Sequence, residues 1–130
     1  MGLSRLFSTS SYFRSSYTSA ARKTIADIHE LYKTGESISM VTSHDFITSQ
    51  ILEQAKVDIN LIGDSLANTT LGYDDTNELT LDEFLYHVKS VQRGNSHSLL
   101  VADMPFGSFE SSIEQATTTA VKLIQKGKIQ

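Results

Sequence analysis

Short apolar, β-branched runs alternate along this chain with segments of helical hydrophobic period, and that alternation constrains the fold more than any other feature. The runs are Ile38–Thr42, Val57–Gly63 and Ser98–Ala102, each of strand length and composition. Ahead of the first, Thr24 is placed to cap a helix over Ile25–Lys33, where Ile25, Ile28, Leu31 and Tyr32 recur at helical spacing before Gly35. Asp45 to Lys56 returns to that spacing through Phe46, Ile47, Ile51, Leu52 and Ala55. Residues 64–79 read as a long polar loop. Thr80 with Glu83 forms a capping box that opens a helix through Phe84, Leu85, Val88 and Val91, with Gly94 as its stop. Ser111 with Glu114 repeats the box before a helix over Ile113–Lys126, with Gly127 at the usual C-terminal position.

Strands separated by helices pair in parallel, because each connection must cross over the sheet. Two architectures use such units: the doubly wound sheet and the closed eightfold barrel. A whole barrel takes ~250 residues, so a chain of 130 residues holds about three strand–helix units. One α/β domain, at most, is expected. The chain has no cysteine, which removes disulfide scaffolds, cysteine-ligated metals and thiol nucleophiles. No apolar run approaches the ~20 residues of a membrane span. A formal net charge of −4 argues against general nucleic-acid binding, which needs a basic face.

That charge is unevenly spread. Residues 1–23 hold Arg5, Arg14, Arg22 and Lys23 and no acid, and the first carboxylate is Asp27. Leu3, Leu6, Phe7, Tyr12, Phe13 and Tyr17 are interspersed among serines, without the continuous apolar core of a secretory signal. A basic, Ser-rich, acid-free head on an acidic body is the composition of a mitochondrial presequence. Residues 1–23 are therefore expected to be a disordered transit peptide, giving a mitochondrial protein whose folded part is 24–130.

In both architectures ligands bind beyond the carboxyl ends of the strands. Those ends read Thr42-Ser43-His44-Asp45, Gly63-Asp64-Ser65 and Ala102-Asp103-Met104-Pro105. Adjacent strands lie ~4.8 Å apart, so carboxylates at corresponding ends can share a cation. Unpaired, they would repel and raise one another's pKa. A hard ion such as Mg²⁺ suits one or two carboxylates with waters and a substrate oxygen. Asp45 directly precedes a helix and is best read as its cap. Asp64 and Asp103 end apolar strands, where a carboxylate without a partner is costly, and are the candidate metal or substrate site. Of the histidines, His29 and His87 fall within helices and His97 in a polar turn; only His44 is placed to meet a ligand. Neither a G-x-G-x-x-G nor a P-loop spacing surrounds Gly63, which weakens the nucleotide-binding reading.

These residues resemble the ketopantoate hydroxymethyltransferase family. Gly63-Asp64-Ser65-Leu66, Leu71-Gly72-Tyr73-Asp74 and Thr80-Leu81-Asp82 resemble its first motifs. The segments Tyr86–Gly94 and Val101–Ser108 resemble its following helix and next strand end. The similarity runs in register from about Ile38 to Gly127, and several separated motifs in order are far more specific than any one. The resemblance implies an α/β fold that is part of a TIM barrel of the phosphoenolpyruvate/pyruvate type. It implies transfer of a hydroxymethyl group from 5,10-methylenetetrahydrofolate, as co-substrate, to 3-methyl-2-oxobutanoate, giving 2-dehydropantoate on the route to pantothenate. It implies Mg²⁺ held at Asp64 and Asp103, with Asp64, Ser65 and Asp103 contacting the keto acid and Ser65 meeting its carboxylate. It also implies a homo-oligomer.

The chain departs from the family pattern at three places. Ala67 and Asn68 stand where small Gly and then Met are usual, in a loop where an unusual backbone angle would make a methyl costly. The first strand ends Thr42-Ser43-His44-Asp45 where the family has Thr-Ala-Tyr-Asp. The family's further Lys and Glu on the fourth strand and its later catalytic Glu have no counterpart before residue 130, so the 130-residue chain alone is expected to be a fragment, poorly active and marginally stable. A non-catalytic barrel fragment that associates with a partner chain through an exposed strand edge is the alternative. Another metal-dependent keto-acid enzyme of the same superfamily also fits the Asp64/Asp103 pair, but not the Tyr86–Gly94 and Asp103–Ser108 similarities.

Overall fold

A computed structural model describes residues 22–129; the proposed leader lies outside the described residues apart from Arg22 and Lys23. The order of elements is α1 (Ile25–Thr34), β1 (Met40–Thr42), α2 (Phe46–Ala55), β2 (Ile59–Ile62), a π-helical turn (Ala67–Leu71), a 3-10 turn (Thr76–Glu78), α3 (Leu81–Gly94), β3 (Leu99–Ala102) and α4 (Ile113–Gly127). The three strands form one parallel sheet in the order β1-β2-β3. Met40 pairs with Ile59 and Ile59 with Leu99; Thr42 pairs with Leu61 and Leu61 with Val101. Consecutive units pairing side by side in parallel is the arrangement of successive sectors of a (β/α) barrel.

Side chains alternate across a strand, and β2 shows it: Asn60 and Ile62 are fully buried while Ile59 and Leu61 are half-buried on the other face. The buried side meets α3, the central helix. Phe84, Leu85, Val88 and Val91 pack there with Ile62, Leu100, Leu123 and, from the β2–α3 connection, Leu66, Ala67 and Leu79. α2 and α4 flank α3. A polar bridge crosses the same layer. The Ser43 hydroxyl donates to Asn60 Oδ1 at 2.7 Å, Asn60 Nδ2 to Ser49 Oγ at 3.2 Å, and Ser49 Oγ to the Val91 carbonyl at 2.8 Å. One amide thus ties β1, β2, α2 and α3 together in the interior, where every polar group needs a partner.

Other apolar surface is left uncovered. Met40 and Val41 on β1 and Ile47 and Ile51 on α2 are exposed, as are Ile113 and Ile124 on α4. β1 is an outer strand of the sheet, and its three residues are all exposed.

The structure corrects several boundaries. Ile38 and Val57 do not enter the sheet, because Ser39 and Asp58 bond to each other instead: the Ser39 amide and hydroxyl donate to Asp58 Oδ2 at 2.8 and 2.7 Å. Residues 64–79 are not simply loop, since the π and 3-10 turns fall there. Ser112, not Ser111, caps α4, accepting from the Gln115 amide at 3.0 Å. Gly94 and Gly127 are the last residues of their helices rather than left-handed stops; Lys128 takes the left-handed position after α4, with φ 52. What these two glycines provide is close approach. A Cβ on Gly94 would lie 2.7 Å from the Phe46 carbonyl oxygen, and one on Gly127 would lie 2.6 Å from Val88 Cγ1.

Arg22 and Lys23 dock on the body. The Arg22 guanidinium donates to the Lys128 carbonyl, the Lys23 amide to the His97 carbonyl at 2.8 Å, and the Lys23 ammonium pairs with Asp58. Burial pushes the Asp58 carboxyl up, but Lys23 and Ser39 outweigh it and hold it at about 2. A carboxyl depressed on folding contributes stability that is present above its unfolded value near ~3.9 and lost as pH falls toward about 2. The contribution is about 2 kcal/mol. Asp58→Asn should therefore lower the urea midpoint at pH 7 and flatten its dependence between pH 4 and 2. An unchanged acid slope would refute that assignment.

Candidate functional site

Parallel pairing brings the ends of all three strands to one edge of the sheet. β2 and β3 pair through Ile62 and Ala102, so the next residues on each, Gly63-Asp64 and Asp103, emerge side by side. The Asp103 amide continues the ladder to the Ile62 carbonyl at 3.0 Å, and the Asp64 amide donates to Asp103 Oδ2 at 3.1 Å. Both carboxylates are partly buried. Burial, and then the charge of Asp103, push the Asp64 carboxyl above its usual range; the Phe106 and Ser65 backbone amides oppose this only in part. The pair is held together at an electrostatic cost that a cation would relieve. Gly63 keeps the space open: a Cβ there would lie 3.1 Å from Ser65 Oγ and 3.4 Å from Asp103 Oδ2. Ser65 itself is exposed at the rim.

Asp45 does not join this pair. It caps α2, its Oδ1 accepting from the Thr48 amide at 2.7 Å and from the Thr48 hydroxyl at 2.8 Å. Those two bonds hold its carboxyl below the usual range. Among the described residues no group of three or more His, Asp or Glu side chains is close enough to hold a metal ion. The donor set is therefore two hard oxygen ligands. It fits Mg²⁺, which keeps most of its shell as water and substrate oxygen.

The connection that follows Asp64 is pinned at both ends. Ala67 is fully buried within the π-helical turn, and Lys56 and Lys128 are the positive-φ non-glycine residues among those described. The methyl group at 67 is thus accommodated without backbone strain. Asn68 Nδ2 donates to the Tyr73 carbonyl at 2.9 Å, and the Tyr73 hydroxyl donates to Glu83 Oε1 at 2.7 Å. Glu83 also closes the α3 capping box, and the bonds from Thr80, then Tyr73, lower its carboxyl to about 2.

The β1–α2 turn is anchored from α3, an arrangement the sequence did not suggest. His87 Nδ1 lies 2.7 Å from the His44 carbonyl oxygen, and the His44 amide reaches Thr48 Oγ1 at 3.3 Å. The i, i+4 spacing of Glu83 and His87 on one helix face is the one sequence signal that could have drawn attention to His87. Beside the carboxylates a small cleft of about 30 Å³ is lined by His44, Ser43, Gly63, Ser65 and Thr69. A larger groove of about 530 Å³ runs between the start of α3 and α4, past Leu81, Phe106, Ser108, Glu114 and Lys122.

Comparison with known proteins gives one consistent result. A family model described as Ketopantoate hydroxymethyltransferase matches residues 22–130. A protein of Ignicoccus hospitalis named 3-methyl-2-oxobutanoate hydroxymethyltransferase is 46% identical over 104 residues, 80% of this chain and 40% of the relative. Its namesake in Saccharomyces cerevisiae is 44% identical over 118 residues, 91% of this chain and 38% of the relative. The one in Emericella nidulans is 43% identical over 107 residues, 82% of this chain and 31% of the relative. The chain spans well under half the length of the curated relatives it matches.

Proposed function

This chain belongs to the ketopantoate hydroxymethyltransferase family, and from that membership we propose that it supplies the first metal- and keto-acid-binding sectors of a barrel that transfers a hydroxymethyl group from 5,10-methylenetetrahydrofolate to 3-methyl-2-oxobutanoate. The observation that carries the proposal is the Asp64–Asp103 pair at the carboxyl edge of β2 and β3, with Asp64 raised by burial and by its neighbour.

The reaction forms a carbon–carbon bond from C3 of the keto acid to the one-carbon unit of the folate, breaks that unit's two carbon–nitrogen bonds and takes the new hydroxyl from water, whose remaining proton and the one from C3 end on the freed folate nitrogens. C3 must first lose its proton. When bound at Asp64 and Asp103, Mg²⁺ would polarise the keto and carboxylate oxygens and so favour that loss. The chain's own residues supply the setting. Asp64 and Asp103 hold the charge that selects a hard cation. Gly63 leaves the clearance beside them. Ser65, exposed at the rim, offers a hydroxyl to the substrate carboxylate. The groove is lined in part by Phe106, whose amide touches Asp64, and its size suits a folate-sized co-substrate.

Manganese titration of the chain by isothermal calorimetry, and by paramagnetic broadening of the Gly63 and Ser65 amides, tests the metal assignment. The double variant Asp64→Asn, Asp103→Asn should bind at least about 30-fold more weakly, since two charge-assisted contacts are lost. Affinity retained within twofold would remove the basis of the proposal.

A further inference from the structure

We infer that His44 is a substrate-binding residue, with its imidazole donating to the carboxylate of the keto acid; this rests on the metal and keto-acid reading above. Three observations place it. First, the His44 main chain is fixed from two sides, by the Thr48 hydroxyl on its amide and by His87 Nδ1 on its carbonyl. A turn tethered at both polar groups holds its side chain at a defined position. Second, the imidazole is not consumed by the fold. Its side chain is 40% exposed, and Nε2 lies 3.5 Å from Asp45 Oδ2, which orients the ring and leaves Nδ1 for a ligand. Third, His44 shares the cleft of about 30 Å³ with Ser65, Thr69 and Gly63. That volume admits one water or one carboxylate oxygen.

The chemistry of the edge calls for such a donor. Asp64 and Asp103 give it negative charge, which repels an anionic substrate wherever a metal does not bridge them. A keto acid chelating a cation with its keto oxygen and one carboxylate oxygen has a second carboxylate oxygen to place. Ser65 and Thr69 are neutral donors; among the residues lining this cleft His44 alone can carry positive charge. Asp45 takes Thr48 on Oδ1 and faces His44 Nε2 with Oδ2, so the anion site lies at the other ring nitrogen; Glu83 is committed to Thr80 and Tyr73. His87 acts through the His44 backbone and is a positioning residue.

The test uses the full 130-residue chain, manganese alone, and 3-methyl-2-oxobutanoate with magnesium. His44→Phe should weaken keto-acid binding about tenfold, the effect of one hydrogen bond to a charged group, while manganese affinity stays within twofold. His44→Gln, which keeps a donor, should recover part of the loss. In the unaltered chain, the His44 ring proton resonances should move on adding keto acid with magnesium, and not with magnesium alone; this readout stands even if a variant fails to fold. If manganese broadens the Gly63 and Ser65 amides but the keto acid leaves the His44 ring unmoved, or His44→Phe binds it normally, this inference is overturned and the metal assignment survives. If manganese does not broaden those amides, the metal assignment falls and takes this inference with it.

Discussion

Phe84→Ala should lower the unfolding free energy by about 3–5 kcal/mol, the range for a large aromatic removed from a core that cannot collapse around the void. Phe84 is completely buried in a cluster that draws Ile62 and Leu100 from the sheet, Leu66 and Leu79 from the β2–α3 connection, Val88 from its own helix and Leu123 from α4. The chain leaves much apolar surface on β1, α2 and α4 uncovered, so a total stability low in the usual range of ~5–15 kcal/mol is expected. The expected result in urea is a midpoint moved to very low denaturant, or loss of the cooperative transition. Phe84→Leu, which keeps most of the volume, should recover the larger part. A midpoint unchanged by Phe84→Ala would mean that the packing around α3 is not the core of this protein.

The second large effect is expected at Gly94. A methyl there would meet the Phe46 carbonyl oxygen at 2.7 Å and Ser49 Cβ at 2.9 Å. Neither can move away cheaply, since the carbonyl belongs to the first turn of α2 and Ser49 is held by its bond to the Val91 carbonyl. The two helices must separate, and separation stretches the Ser49–Val91 bond and then the Asn60–Ser49 bond behind it. Gly94→Ala should therefore cost about 3 kcal/mol, at the upper end for an inserted methyl, despite alanine's better helix propensity of ~1 kcal/mol. Amide exchange resolves the mechanism: protection should fall along the facing turns of α2 and α3 more than along α4. Equal stability of Gly94→Ala and the parent would show that the helices are not in contact at this point.

How far the fold could be read ahead of the structure follows from which interactions are local. All four helices, the three strands and their parallel pairing were legible, because hydrophobic period and capping boxes act within a few residues and strands joined through helices must cross over. The position of Asp45 directly ahead of a helical segment likewise marked a cap, which is what Asp45 is. Strand ends were less legible. Ile38 and Val57 are as apolar as their neighbours, and only the mutual bonding of Ser39 and Asp58 across nineteen residues keeps them out of the ladder. Gly94 and Gly127 carried a misleading signal, since a glycine at a helix end has the same letter whether it relieves a backbone angle or admits a second helix. The π-helical turn has no residue signature, so residues 64–79 offered only polarity.

The candidate site divides the same way. That Asp64 and Asp103 lie side by side was foreseeable, because neighbouring parallel strands bring equivalent positions together. The strain between them is a matter of burial, which one sequence does not record. The tether from His87 to the His44 carbonyl joins residues 43 positions apart through two elements whose contact depends on how α3 lies over the sheet. The part played by the Phe106 amide beside Asp64 was equally hidden, since a backbone donor is common to nearly every residue type.

The order of the sheet follows the order of the chain: β1 meets β2, and β2 meets β3. During synthesis each new strand emerging from the ribosome finds its pairing edge already formed by the segment made just before it. The nascent chain can thus grow its sheet one hairpin-free step at a time, without holding an early strand in reserve for a late partner. Loop-closure entropy stays small at each step.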